Sequence, residues 1–525
     1  MSANIVKKFL SGNEAISVGA YNAGCSVGTG YPGTPSTEIL ENFCKYDDVY
    51  SEWSVNEKVA LEVGLGASLA GARTLVTMKH VGVNVAADPL FTAAYTGIKG
   101  GLVIVSADDP NLHSSQNEQD NRNYAKAAKI PALEPSDSQE AYDFTKLAFE
   151  ISEKFDTPVF LRTTTRIAHS KGTAEYVDSR EVLKHREFER NPKKYVMVPA
   201  FARERHFVVE DRIKLLAEYA ETLDINKVEI SNSKIGFITS GISYNYVKES
   251  YPDASFLKLG MIYPLPKKKI SDFINKMDKV YIVEELDPFF ETEIRSYGFT
   301  NVEGKKLFPI TGEFSPDLIK SAITGEKVEN YAIGVKVPPR LPALCPGCPH
   351  RTIFGMLRKY SPIITGDIGC YTLGVMPPFD SLDTCVDMGA SITVAHGIDI
   401  VDNKRKIVSV IGDSTFAHSG ITGLINAAYN KRNILVIVLD NGTTAMTGMQ
   451  PNPFTGETIK REETFSLDYG KLAEAVGIDS DNFATVDAYK PVEVEAALSK
   501  LTKTKKLSLL VIKGPCVILK GKKKK

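Results

Sequence analysis

Residues 407–444 read IVSVIGDSTFAHSGITGLINAAYNKRNILVIVLDNGTT, and this stretch decides the fold. Ile407 to Ile411 is a short β-branched run that ends in Gly412, Asp413 and Ser414. Apolar residues then recur at Ile421, Leu424, Ile425 and Ala428, the i, i+3, i+4, i+7 spacing of one helix face. A second apolar run, Ile434 to Leu439, ends in Asp440, Asn441, Gly442 and Thr443. Strand, helix and strand joined by one crossover put two strand ends side by side, each offering an oxygen. Mg2+ takes hard oxygens in an octahedral array and usually completes its shell with phosphate and water. Asp413, the Asn441 amide and a main-chain carbonyl near Thr443 supply three places, leaving room for two diphosphate oxygens and a water. Gly412 lets a phosphate approach the backbone, and the following helix N-terminus, starting at Ser414, helps hold it. Taken alone, Gly-Asp-Ser is a strand-to-helix turn with an N-cap serine. The asparagine at the second strand end is what points to a metal.

The same alternation runs through the chain. Leu75 to Met78, Leu102 to Val105, Val159 to Leu161, Ile235 to Ile238, Val280 to Val283 and Leu509 to Ile512 are further apolar runs separated by helical patterns. The expected fold is α/β, with mostly parallel sheets covered by helices and ligands beyond the carboxyl ends of the strands. Residues 179–230 are charge-rich and read as a linker and exposed helix, and residues 337–350 are proline-rich. Three α/β domains follow, at 1–178, 231–330 and 340–517, with a lysine-rich tail at 518–525 that reads as solvated and disordered.

Composition excludes several classes. With 43% hydrophobic and 24% charged residues and a net charge of -1, the 525-residue chain is globular and shows no basic face for nucleic acid. No apolar run is long enough for a membrane span and no signal-peptide pattern opens the chain, so a cytoplasmic location is expected. Seven cysteines are too few for a disulfide framework.

Gly-Asp-Ser followed at a strand end by Asn441 resembles the thiamine-diphosphate motif. Thiamine also needs a partly buried carboxyl against its aminopyrimidine ring, which favours the tautomer that deprotonates the thiazolium carbon. In EWSVNEKVALEVGLGASLAG, Glu57 opens a helix carrying Val59, Ala60, Val63, Gly64 and Ala67. A first-turn glutamate also complements a helix dipole, and Glu52 and Glu62 are rivals. The resemblance favours Glu57, which stands nine residues before Gly66-Ala67, as the activating glutamate does in thiamine enzymes.

GNEAI from Gly12, GYPGTPSTEI from Gly30, MKHVGVNVAADPL from Met78, HSSQNEQDNR from His113, LCPGCPHR from Leu344 and GDIGCYTLG from Gly366 join these motifs. Together they resemble the α subunit of indolepyruvate ferredoxin oxidoreductase from near residue 10 to near 517. The resemblance implies a thiamine-diphosphate-binding fold with a pyrimidine-binding domain at 1–178, a transketolase-C-terminal-like domain at 231–330 and a diphosphate- and Mg2+-binding domain at 340–517. It implies that Thr34 reaches the 2-oxo acid, and that Gly369, Met388 and Gly389 join Glu57, Gly412, Asp413, Ser414, Asn441 and Thr443 in binding the cofactor. His80, Asn84, His113 and Arg122 are candidate polar contacts or satisfied structural residues. Gly28 to Gly33 also matches G-x-G-x-x-G, but Pro32 and Pro35 stand where a phosphate-binding helix should begin.

Cys345, Cys348, Cys370 and Cys516 are implied ligands of a 4Fe-4S cluster. Zinc held by Cys345, Cys348, His350 and Cys370, and inert thiols, are the alternatives; Cys25, Cys44 and Cys385 read as packing residues. The family's usual C-terminal ferredoxin-like extension, with its C-x-x-C-x-x-C-x-x-x-C runs, has no counterpart in these 525 residues. The expected activity is oxidative decarboxylation of an aryl 2-oxo acid to its acyl-coenzyme A, with electrons passed to ferredoxin. A separate smaller β subunit and an α2β2 assembly are implied. The alternatives are a non-oxidative decarboxylase and a non-catalytic subunit.

Overall fold

The computed structural model describes residues 5–182, 187–326, 334, 335, 338, 341–361 and 363–522. Residues 1–4, 183–186, 327–330, 337, 339, 340, 362 and 523–525 of the expected segments lie outside the described residues. The chain forms two compact units, residues 1–332 and 333–525.

The first unit is built on a seven-stranded sheet in the order Met261–Tyr263, Ala132–Leu133, Val159–Thr164, Leu102–Asp108, Thr74–Lys79, Val27–Gly30, Tyr50–Trp53. All neighbours are parallel except the pair formed by Met261–Tyr263 and Ala132–Leu133. Met261–Tyr263 therefore carries the 231–330 segment into the first segment's sheet. The rest of that segment forms a five-stranded sheet, Val302–Glu303, Lys279–Val283, Ile235–Thr239, Ser255–Lys258, Lys227–Glu229, parallel but for the last strand. One core spans both sheets: Leu102, Ile104 and Phe160 pack in the same cluster as Ile238, Leu257, Phe273 and Ile282. The charge-rich stretch supplies helix Pro199–Thr222, whose Val209, Arg212, Leu216 and Ala220 are buried, so only part of it is the exposed helix expected.

Buried charge ties the two sheets together. Arg122, 1% exposed, donates to Asp120 Oδ1 at 2.9 Å, to Glu284 Oε2 at 2.7 Å and to the carbonyls of Glu285 and Asp287. Phe289 and Phe290 close over its guanidinium at 5.1 and 4.9 Å. Arg162 answers Asp108 and Glu134 in the same way. Arg122 is thus a structural residue, and its donors are spent on the protein.

The second unit carries a fully parallel sheet in the order Ile364–Thr365, Ile407–Gly412, Ile434–Asp440, Ser508–Lys513, Phe483–Asp487. The eight apolar runs read from sequence are all strands, each extended by one to three residues. Of the helix face read as apolar, Ile421, Leu424 and Ala428 pack on the core but Ile425 is 49% exposed, and Gly420, Gly423 and Ala427 also face inward. Helix Ala390–Val401 approaches so closely that a Cβ on Gly423 would lie 3.3 Å from Ile392 Cβ, so small residues take the inner face. The tail is ordered further than expected, since helix Val517–Lys522 runs into it.

Replacing Arg122 by methionine leaves Asp120 and Glu284 buried without their counter-charge. That change is expected to destabilise the first unit by about 3–5 kcal/mol, read as a lowered denaturation midpoint.

Candidate active site

In the second unit the parallel register pairs Gly412 with Leu439, so the chain leaves both strands at the same level. Asp413 follows one strand and Asp440 ends the other. Asp413 is 3% exposed; its burial, reinforced by the charge of Asp440, pushes its carboxyl up to about 7. Asn452 Nδ2 donates to Asp413 Oδ2 at 3.1 Å and steadies it. Asn441 is buried next to them, its Oδ1 accepting from the Thr443 amide at 3.1 Å. Thr443 Oγ1 donates to the Gln450 carbonyl, and Thr444 Oγ1 donates to Ser414 Oγ at 2.9 Å, which stitches the two loops together. Buried carboxylates, an amide oxygen and main-chain carbonyls form a hard-oxygen donor set, and a divalent cation would relieve the repulsion between Asp413 and Asp440.

The remaining expected residues gather through two side chains that the sequence reading did not single out. Asp367, fully buried, accepts from the amides of Ile368 at 2.8 Å, Gly389 at 2.7 Å and Ser391 at 2.9 Å, and so holds the 366–370 and 388–391 loops together. Burial pushes its carboxyl up to about 6 despite these donors. Tyr371 lies against both Gly369 and Gly412: a Cβ on either would stand 2.4 or 2.5 Å from its ring. The side of Gly412 on which a Cβ would stand is filled by Tyr371, whose hydroxyl donates to the Ile368 carbonyl at 2.6 Å. Gly389 needs to be glycine on two counts: its φ is 97°, and a Cβ would collide with Ser419 Cβ at 2.4 Å. Met388 beside it is half-buried. Ser419 belongs to a π-helical turn, Phe416–Gly420, an irregularity common at functional sites.

Cys345, Cys348, Cys370 and Cys516 line one cavity of about 80 Å³, with His350, Leu373, Asn441 and Met449. Burial, then the neighbouring thiols, pushes Cys370 up to about 11, and Cys348 is raised by the same causes. The Cys516 amide donates to the Asn441 carbonyl at 3.0 Å, tying the thiols to the oxygen-donor loop. Among the described residues no three His, Cys, Asp or Glu side chains gather as ligands of a single metal ion. The thiols surround a space instead of converging on a point. Of the three thiols read as packing residues, Cys25 is buried but Cys385 is exposed.

In the first unit Glu57 opens helix Glu57–Leu69 behind an Asn56 N-cap, whose side chain accepts from the Val59 amide. Glu57 is 5% exposed, whereas Glu62 is exposed and paired with Lys58, and half-buried Glu52 accepts from Tyr50 and Ser54. Burial thus separates Glu57 from its rivals. Its carboxyl lies on Gly82, where a Cβ would stand 2.7 Å from Oε1. Thr34 sits in the loop between Val27–Gly30 and helix Thr37–Phe43, half-buried, and its carbonyl accepts from Ser114 Oγ at 3.3 Å. No helix begins at the G-x-G-x-x-G match; Gly28 and Gly30 are filled against Phe43 and Thr77. His80 is buried with Nε2 at 3.1 Å from the Asn117 carbonyl, Asn84 is bonded to Gln119 and Tyr124, and His113 lies 3.5 Å from Glu313.

Two family models match this chain. The thiamine-diphosphate-binding domain of pyruvate flavodoxin/ferredoxin oxidoreductases covers residues 18–232, and the C-terminal binding domain of thiamine pyrophosphate enzymes covers residues 367–512. The indolepyruvate oxidoreductase subunit IorA of Archaeoglobus fulgidus is 41% identical over 98% of this chain and 87% of its own length. The chain belongs to the IorA family. The Pyrococcus horikoshii member is 42% identical over 98% of this chain and 86% of its own length. A 2-oxoglutarate:ferredoxin oxidoreductase structure from Magnetococcus marinus shares the fold at a TM-score of 0.50, with 16% identity over 62% of this chain and 65% of its own. The α/β thiamine-diphosphate fold and the family read from the motifs are therefore as expected, and the chemistry of this IorA member is thiamine-diphosphate-dependent oxidoreduction of a 2-oxo acid. Among the described residues no helix is long and apolar enough to cross a membrane.

The raised carboxyl of Asp413 gives a pH prediction. The folded protein keeps this proton to about pH 7 and the unfolded chain loses it near its ordinary value, so between these limits the native state binds more protons. Stability of the metal-free second unit should fall as pH rises through that window and level off above it. Mg2+ competes with the proton, so the rise in melting temperature on adding Mg2+ should be larger at pH 8 than at pH 5. An equal rise at both would contradict this role for Asp413.

Proposed function

We propose that this chain is the catalytic subunit that converts an aryl 2-oxo acid of the indolepyruvate kind to its acyl-coenzyme A, passing electrons to ferredoxin. The bond between the carboxylate and the 2-oxo carbon breaks, CO2 leaves, and the acyl carbon joins the coenzyme A sulfur. Two electrons go to two oxidised ferredoxins and one proton is released. The names of the IorA relatives support the substrate class.

Thiamine diphosphate, when bound, supplies the nucleophilic carbon and the electron sink. Glu57, buried on Gly82, would offer its carboxyl to the aminopyrimidine. Thr34 orients the 2-oxo acid. Asp413, the Asn441 amide and a carbonyl at Thr443 hold Mg2+ for the diphosphate, while Gly369, Met388, Gly389, Gly412 and Ser414 form the surrounding loops. The domain boundaries read from sequence assign Glu57 and Thr34 to a pyrimidine-binding segment and the Asp413 set to a diphosphate-binding one. A smaller β subunit completes the enzyme.

The observation that carries the redox reading is the ring of four thiols around one cavity beside Asn441. Four thiolates about a space suit a 4Fe-4S cluster, whereas zinc needs its ligands on one centre. Electron transfer from the cofactor then has an acceptor held in the same unit.

Anaerobically purified protein with its β subunit should contain about four iron atoms per chain. It should reduce ferredoxin or a viologen dye with indolepyruvate or phenylpyruvate plus coenzyme A. Glu57→Gln should lower kcat by about 10²–10⁴-fold without loss of iron. Aldehyde release by an iron-free protein would replace this reading with a non-oxidative decarboxylase, and full activity of Glu57→Gln would sink the role of Glu57.

A further inference from the structure

Among the described residues Lys79 is a cation with no counter-ion within ion-pair distance. It ends strand Thr74–Lys79 at the carboxyl edge of the seven-stranded sheet, where open α/β sheets receive ligands. Its aliphatic stem lies under the Thr34 loop: a Cβ on Gly33 would stand 3.1 Å from both Cγ and Cδ of Lys79. Its ammonium donates to the Ser114 carbonyl at 3.0 Å, and Ser114 Oγ donates in turn to the Thr34 carbonyl. Ser114 therefore clamps the ammonium to the Thr34 loop. A lysine has three donors, and among the described residues Ser114 takes one and no carboxylate lies within ion-pair distance.

Two carboxylates are near enough to act on Lys79 through space, Asp109 and Glu57. Asp109 is committed elsewhere, accepting from the Ser114 amide at 2.8 Å, Ser115 Oγ at 2.7 Å and Thr165 Oγ1 at 2.6 Å. Glu57 is turned onto Gly82. The result is a half-buried ammonium with free donors beside the loop that holds Thr34. Burial pushes it down to about 8, more than the two carboxylates raise it, as for a cation awaiting an anion.

We propose that Lys79 is the residue that binds the carboxylate of the 2-oxo acid substrate. This rests on the reading of the Thr34 and Glu57 side of the first unit as the place where substrate reacts. A single ammonium with unspent donors matches one carboxylate group, whereas the diphosphate of the cofactor or the phosphates of coenzyme A bring several charges that one lysine does not meet. Recognition of the carboxylate here also selects a 2-oxo acid over the corresponding aldehyde.

The test uses the complete enzyme loaded with thiamine diphosphate and Mg2+. Lys79→Met should raise KM for phenylpyruvate about 10- to 100-fold, the loss of one charge-assisted contact, with a smaller change in kcat. Lys79→Arg should recover most of that loss, and the affinity for thiamine diphosphate should be unchanged in both. An unchanged KM in an active Lys79→Met enzyme overturns the proposal while leaving the activity itself intact. A loss confined to cofactor or coenzyme A affinity overturns it in favour of a phosphate contact. If Lys79→Met does not assemble, the wild-type holoenzyme decides: lysine acylation mapped by mass spectrometry should be slowed at Lys79 by 3-phenylpropionate and not by its amide. Equal protection by both, or by neither, overturns the assignment. If the wild type turns over no 2-oxo acid at all, the functional reading fails first.

Discussion

Two parallel strands that end in register force Asp413 and Asp440 into one buried place. Burial raises both carboxyls, and the charge of Asp440 adds to the rise at Asp413, while Lys513 at 4.0 Å works against the rise at Asp440. The neighbouring loops are arranged around that problem. Asn452 donates to Asp413, the Gly514 amide donates to the Asp440 carbonyl, and the Cys516 amide donates to the Asn441 carbonyl. The last two bonds come from the segment that follows strand Ser508–Lys513, so the backbone of Cys516 is tied to the same strand ends that carry the oxygen donors. Oxygen site and sulfur cavity are one construction.

The first unit solves a different problem with the same sheet architecture. Its charges are also buried, but most are neutralised within the protein: Arg122 and Arg162 each meet two carboxylates. Of these, the Arg122–Glu284 pair joins the five-stranded sheet to the seven-stranded one, while Arg162 pairs within the seven-stranded one. At the carboxyl edge Glu57 lies on a glycine, and Lys79 donates to a main-chain carbonyl.

The strands were legible because a buried parallel strand is apolar throughout, as Ile434–Asp440 and Ser508–Lys513 show. Glu57 was legible as a candidate, but only burial distinguished it from Glu52 and Glu62, and burial depends on contacts far away in sequence. Asp367 and Tyr371 stood inside a quoted motif without an assigned task. Their work is to hold loops whose positions only the folded chain reveals, and a lone aspartate or tyrosine carries no periodic signal. Ile421, Leu424 and Ala428 pack on the core as read, but Ile425 does not, because packing against Ala390–Val401 brings Gly423 inward.

Gly82 sets the tolerance of the whole edge. With only a hydrogen between its backbone and the Glu57 carboxyl, the helix His80–Val85 acts as a mould for that acid. A side chain at position 82 would press on the Glu57 carboxyl and turn it out of its place, so the two positions are coupled.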